Sequence, residues 1–352
     1  MTLSLKPNWP EARERLEAFW RLEVLDRPCI AVTALNGPRR PVRPPRDAQE
    51  KWTDPDYLVE SLTASFEATY WGGESLPAST LLVGYCFGHG AQLHYHEQTI
   101  WQSPIVHDWN APPSFAFDES DPGWRQIEAV VRALVESNGG RYFVSHPAIL
   151  LPNDLLSVLC DPTRFCTDLL DHPEAVKQAL AEMLETWFVL YDRTRSLLAP
   201  TQDGTADWLG VWHPGRMCTI QSDICCMLSP AMFEEFILPE LEAFSNRLDG
   251  VIYHLDGPGA LKHLDRLLEL PRLHGIQWTA GTGHPTGLHW LDLYKRIQAK
   301  GKAVWVSLDK SEVPTAVREL KPEGLFIATG AGSVEEAECI LEDARRAMVA
   351  SQ

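Results

Sequence analysis

The chain has 352 residues, 45% of them hydrophobic, so it is long enough to bury one large core or two ordinary ones. Its 31 basic and 48 acidic residues leave a net charge of −17 with no long basic run, which argues against a nucleic-acid partner. No signal-like leader opens it, and no window approaches 18 uninterrupted apolar residues, so no membrane span is expected. Eight cysteines without regular spacing read as reduced thiols of a cytoplasmic protein.

In chain order, "NWPEARERLEAFWRLEVLD" has Leu16, Phe19, Trp20 and Val24 at helical spacing behind Pro10. "NGPRRPVRPPRD" follows as extended loop, and "WTDPDYLVESLTASF" reads as a second helix with Asp54 or Asp56 as cap. Short apolar runs then recur, most of them followed by helical segments: 79–85, 141–150, 206–212, 250–256, 273–279, 302–308 and 324–330, with 29–35 before them. The helix after Ser229 and Pro230 has its cap and first-turn proline, and Ser333 with Glu336 has capping-box spacing.

Eight strands alternating with helices predict an α/β chain folded as a (β/α)8 TIM barrel, preferred to an open doubly wound sheet because no GxGxxG opens a helix. One barrel domain is expected over 1–352. Residues 1–75 supply an N-terminal helical extension and first strand, and 86–125 form a hairpin-like insertion over the barrel mouth.

Such a barrel carries its chemistry at the C-terminal ends of its strands. "VIYHLDGPGALKHL" ends a strand in His254-Leu255-Asp256, so both polar side chains point to one side, at the rim. Gly257 then opens a tight turn that brings backbone close to a ligand. By the same test Gln277 and Trp278, Trp212 and Asp309 end strands, and Gln221 and Asp223 lie in the loop before the Ser229 cap. His254, Asp256 and Asp223 are the catalytic candidates, with Gln221, Trp212, Gln277, Trp278 and Gly257 as substrate contacts. His254 and Asp256 are metal-ligand candidates, joined by Asp309 and Cys225; without a metal, they form a proton-transfer pair. His213, His284 and His289 read as solvated, the His94/His96 pair, two apart on a strand, is within reach of a common ligand, and Cys226, like Cys225, is either a metal ligand or, more commonly for such residues, a buried inert thiol.

The span from about 140 to 349 resembles the superfamily of uroporphyrinogen decarboxylase and the corrinoid-dependent methyltransferases. The cues are "SPAMFEEFILPEL", "YHLDGPGALKHLDRLLEL", "IQWTAGTG" and "GLFIATGAGSVEEAECIL", with "TIWQSPIV" and "LLDHPEAV" before them. The arginine motif of true uroporphyrinogen decarboxylases has no counterpart. Where the methyltransferases carry His-x-Cys and a later Cys, this chain has His254-x-Asp256 and then Ser307 and Asp309. The resemblance implies a barrel that moves a methyl group from a small O- or N-methylated substrate to a corrinoid (cobalamin) on a partner protein. A zinc Lewis acid held by a harder, oxygen-rich set and a homodimer are further implications. A metal-free decarboxylase-like lyase acting on a small carboxylic acid and a non-catalytic binding barrel are the alternatives.

Overall fold

The computed structural model describes residues 3–350, apart from the side chains of 85, 86, 349 and 350. The strands are β1 (Cys29–Leu35), β2 (Thr69–Gly73), β3 (Leu93–Tyr95), β4 (Ile100–Gln102), β5 (Thr205–Ala206), β6 (Trp212–His213), β7 (Met217–Gln221), β8 (Gly250–Asp256), β9 (Gly275–Thr279), β10 (Ala303–Ser307) and β11 (Leu325–Gly330). Seven of them form one sheet in the order β2-β1-β11-β10-β9-β8-β7, parallel throughout except that β2 runs antiparallel to β1. Helices follow the parallel strands, as the alternation of patterns requires.

The ladder is not the uninterrupted eight-stranded cylinder expected. Between β2 and β7 no continuous ladder runs; among the joins, Phe143 N donates to Pro77 O (2.8 Å), Ser79 N to Phe143 O (3.2 Å), Ala148 N to Leu81 O (2.8 Å), His146 N to Ala206 O (2.9 Å), and Thr219 N to the Asp207 carboxylate (2.7 Å). Three expected strands fail here for local reasons. Residues 79–85 turn into a 3-10 helix, Leu82–Cys86. The 141–150 run carries Pro147 and keeps a single bridge, Ala78 to Phe143. The 206–212 run reverses at Gly210, φ +73°, and splits into β5 and β6, which pair with each other. In exchange the sheet gains β2 and β7, which the sequence reading did not contain.

Inward side chains at the strand starts, among them Met217, Ile252 and Phe326, form an apolar cluster with Leu16, Phe19 and Trp9 of the helix Trp9–Trp20. Trp9 meets Phe143 and Trp212 edge-to-face at 5.0 and 5.1 Å. That helix packs over the strand-start end, which directs ligand access to the opposite end. The expected hairpin is present as β3-β4, tied to the helix Ala48–Thr53 where Trp52 Nε1 donates to His96 O. Among the described residues no helix is long and apolar enough to cross a membrane.

Candidate active site

β7, β8 and β9 lie side by side in parallel register, with Gln221 opposite His254 and His254 opposite Gln277. Because alternate residues share a face, Met217, Thr219 and Gln221 point the same way as Ile252, His254 and Asp256 and as Gln277 and Thr279. A row of polar side chains thus crosses three strand ends. His254 Nδ1 donates to Gln277 Oε1, and Gln277 Nε2 donates to Thr279 Oγ1 (2.9 Å). Since an amide oxygen only accepts, Nδ1 is the donor in this contact, and Nε2 is not engaged by it.

Asp223 enters from the loop after β7. Its ligand oxygen, one of Asp256 and a ring nitrogen of His254 all lie within 4.8 Å of one another. Gln221 Nε2 donates to Asp223 Oδ2 (3.1 Å). Asp223 is accessible at the rim yet closely surrounded. Burial raises its pKa, His254 opposes the rise, and the Asp256 charge adds to it. Beneath it, buried Asp154 accepts the backbone N–H of Asp223 (2.8 Å) and of Ile224 (3.0 Å), fixing the turn. Burial, and then the Asp223 charge, pushes Asp154 up to about 7.

His254 and Gln221 also edge a cavity of about 210 Å³ that runs toward β5 and the helix Pro173–Leu198. Its walls include Trp208, Trp187, His146 and Asp207. Trp208 meets the His254 ring edge-to-face at 5.2 Å.

The other sequence candidates lie elsewhere. Trp212 is fully buried among Trp9 and Phe143 near the strand starts, because the turn at Gly210 carries it away from the rim; it does not line the cavity. Trp278 points to the outer face and packs on Trp290 at 4.8 Å, the parity opposite to Gln277. Gly257, φ +75°, donates its N–H to Thr279 O (2.8 Å) and closes the rim between β8 and β9. Asp309 is outside the ligand group, since Ser311 N and Oγ hold its carboxylate at 2.9 and 2.6 Å. Cys225 is buried 3.8 Å from the Tyr253 hydroxyl, and burial pushes its thiol up to about 12, a poor metal ligand outside the group.

Asp154, Asp207, His146 and Trp208 were not among the sequence candidates. Asp207-Trp208 closes β5 and was open to the strand-end test, but the 206–212 run looked like one strand ending at Trp212.

No family model matches the chain, and no curated protein matches it in sequence. Its structure is similar to a solved structure titled a methyltransferase from Methanosarcina mazei, with a TM-score of 0.63 and 13% identity, covering 99% of each chain. At that identity the likeness speaks for the fold alone.

Proposed function

We propose that this chain is a methyltransferase that takes a methyl group from a small O- or N-methylated substrate beside His254 and passes it to a corrinoid on a partner protein. A divalent metal, zinc by resemblance, would be held by His254, Asp223 and Asp256. In this reading the sheet and the extended segments between β2 and β7 together make a barrel of the uroporphyrinogen decarboxylase kind. The observation that carries it is the convergence of those three side chains within 4.8 Å at the edge of a cavity. The reaction class comes from the sequence resemblance; the fold, shared over 99% of each chain with a structure titled a methyltransferase, accommodates it.

The donor set fits a metal. His254 offers Nε2 while Gln277 takes its other N–H, the outer partner that metal-bound imidazoles ordinarily have. Two carboxylates balance the charge of a dication. When bound, such an ion supplies Lewis acidity to the oxygen or nitrogen that loses the methyl group. The remaining work belongs to the chain. Gln277 orients His254, Gln221 orients Asp223, and Asp154 fixes the turn that carries Asp223.

The experiment mixes purified protein, methylated ethers or amines and cob(I)alamin, follows methylation of the cobalamin by its absorbance, and measures bound metal in parallel. Stoichiometric metal and a methylation rate that falls by at least ~100-fold in His254→Ala are expected. Metal-free protein that methylates no cobalamin would overturn the proposal.

A further inference from the structure

We infer that the cavity beside His254 takes a small organic cation whose positive nitrogen carries methyl groups. The inference rests on the methyl-transfer reading for the fate of the guest, and on the cavity alone for the identity of the guest.

Charge is the first ground. No lysine or arginine of the described residues lines the cavity, so a carboxylate, sulfonate or phosphate meets no cationic side chain there, and the charge of a metal at its edge would be balanced by Asp223 and Asp256. Of its two imidazoles, His146 is stacked on Tyr191 at 4.3 Å, with Nε2 3.1 Å from Tyr191 O, and burial pushes its pKa down to about 4, so it is neutral. His254 stands between Asp223 and Asp256. Against this, Asp207 sits in the wall at 3% exposure, its carboxylate accepting Thr219 N (2.7 Å) and Leu209 N (3.0 Å). Burial raises its pKa, while these two N–H donors favour the charged form.

The character of the wall is the second ground. Trp208 and Trp187 offer indole surfaces, the best aromatic partners for a cation, and Leu82, Pro147 and Ile149 supply an apolar remainder. A bare ammonium would lose its hydration against such a surface at high cost. A methylated ammonium spreads its charge over methyl groups and packs against the same surface. The volume of about 210 Å³ suits a small molecule. Thr219 Oγ1 lies beside the Asp207 carboxylate in the cavity wall, where its lone pairs can accept an O–H or N–H of the guest.

The chemistry balances without a proton donor. The C–N bond breaks with its electron pair left on nitrogen, and the methyl group goes to the two-electron cobalt(I) of the corrinoid. A quaternary ammonium departs as a neutral tertiary amine, so neutral His146 is no handicap; the ammonium nitrogen gains a lone pair only as the C–N bond breaks, so Lewis acidity would bear on the leaving amine and not on the bound guest.

The test is calorimetric titration of the purified protein, without a methyl acceptor, with three compounds of one shape. These are choline, its uncharged carbon isostere 3,3-dimethylbutan-1-ol, and the anion 3,3-dimethylbutanoate. Choline is expected to bind at least ~10-fold more tightly than the alcohol, and the anion not at all. Asp207→Asn should bring choline and the alcohol to near parity. Should that variant not fold, Trp208→Leu at a partly exposed position should cut the preference several-fold. Equal or tighter binding of the anion or alcohol, no binding of any of the three, or a preference untouched in the folded variants would overturn the inference. Cobalamin methylation from a methyl ether with no choline preference would sink this inference alone; choline preference without any methyl transfer would sink the reaction alone.

Discussion

Gln277 decides what His254 can do. Replacing it with leucine leaves the Nδ1–H without its acceptor and frees the ring to turn or change tautomer. Gln277→Leu is therefore expected to weaken zinc or cobalt(II) binding by about 10- to 100-fold while leaving the fold intact, as measured by calorimetry and circular dichroism. Unchanged affinity would show that His254 is not a ligand. Asp154 acts one layer deeper. Asp154→Ala strands two backbone N–H groups and should destabilise the chain by about 1–3 kcal/mol in chemical denaturation, whereas Asp154→Asn, which keeps an acceptor, should cost less. At this scale the sequence was readable where neighbours are local: His254 and Asp256 share a face because they are two apart on a strand. Asp154 was not, since it reaches Asp223 across 69 positions, and no pattern within a single segment encodes that meeting.

Elements were legible where a pattern and its punctuation agreed. Ser229 accepts Met232 N (3.3 Å) and Asp54 accepts Tyr57 N (2.7 Å), as expected of caps. Ser333 accepts Glu336 N (3.2 Å), although the Glu336 carboxylate turns to Gly332 N and not to the cap itself. The helix after Ser229 departs from expectation in its middle: Phe233–Ile237 is a π turn, placed just before Pro239, which has no N–H to give. Asp121, whose carboxylate accepts Gly123 N (2.7 Å) and Trp124 N (3.1 Å), caps the helix Pro122–Asn138. Asp121→Ala should lower stability by about 1 kcal/mol, read from the denaturation midpoint. The strands β2 and β7 escaped notice because "TYWGG" and "MCTIQ" are short and mix polar with apolar residues; neighbouring strands, not their own composition, hold them extended.

For the molecule as a whole, buried acids tie stability to pH. Glu240 is buried where it accepts Asn153 N (3.0 Å) and Nδ2 (2.8 Å), and burial pushes its pKa from 4.5 up to about 8. Below pH 4.5 it is protonated whether folded or unfolded. Between 4.5 and 8 only the unfolded chain readily gives up that proton, so its contribution to stability is lost as pH rises through this window. The melting temperature of the wild type should fall from pH 5 to 8 relative to Glu240→Gln, whose profile should be flatter over that range.

The interrupted arc between β2 and β7 has a consequence for motion. One flank of the cavity, around Thr80, His146 and Asp207, is held by a mixture of backbone and side-chain hydrogen bonds outside the sheet, whereas His254 and Gln277 ride on continuous ladders. Amide protons of 77–81, 143–148 and 205–208 should therefore exchange with deuterium well before those of β8 and β9. A guest would be admitted by a yielding wall while the reactive groups stay on a stiff one, so the protein can breathe to load its cargo without disturbing the aim of its chemistry.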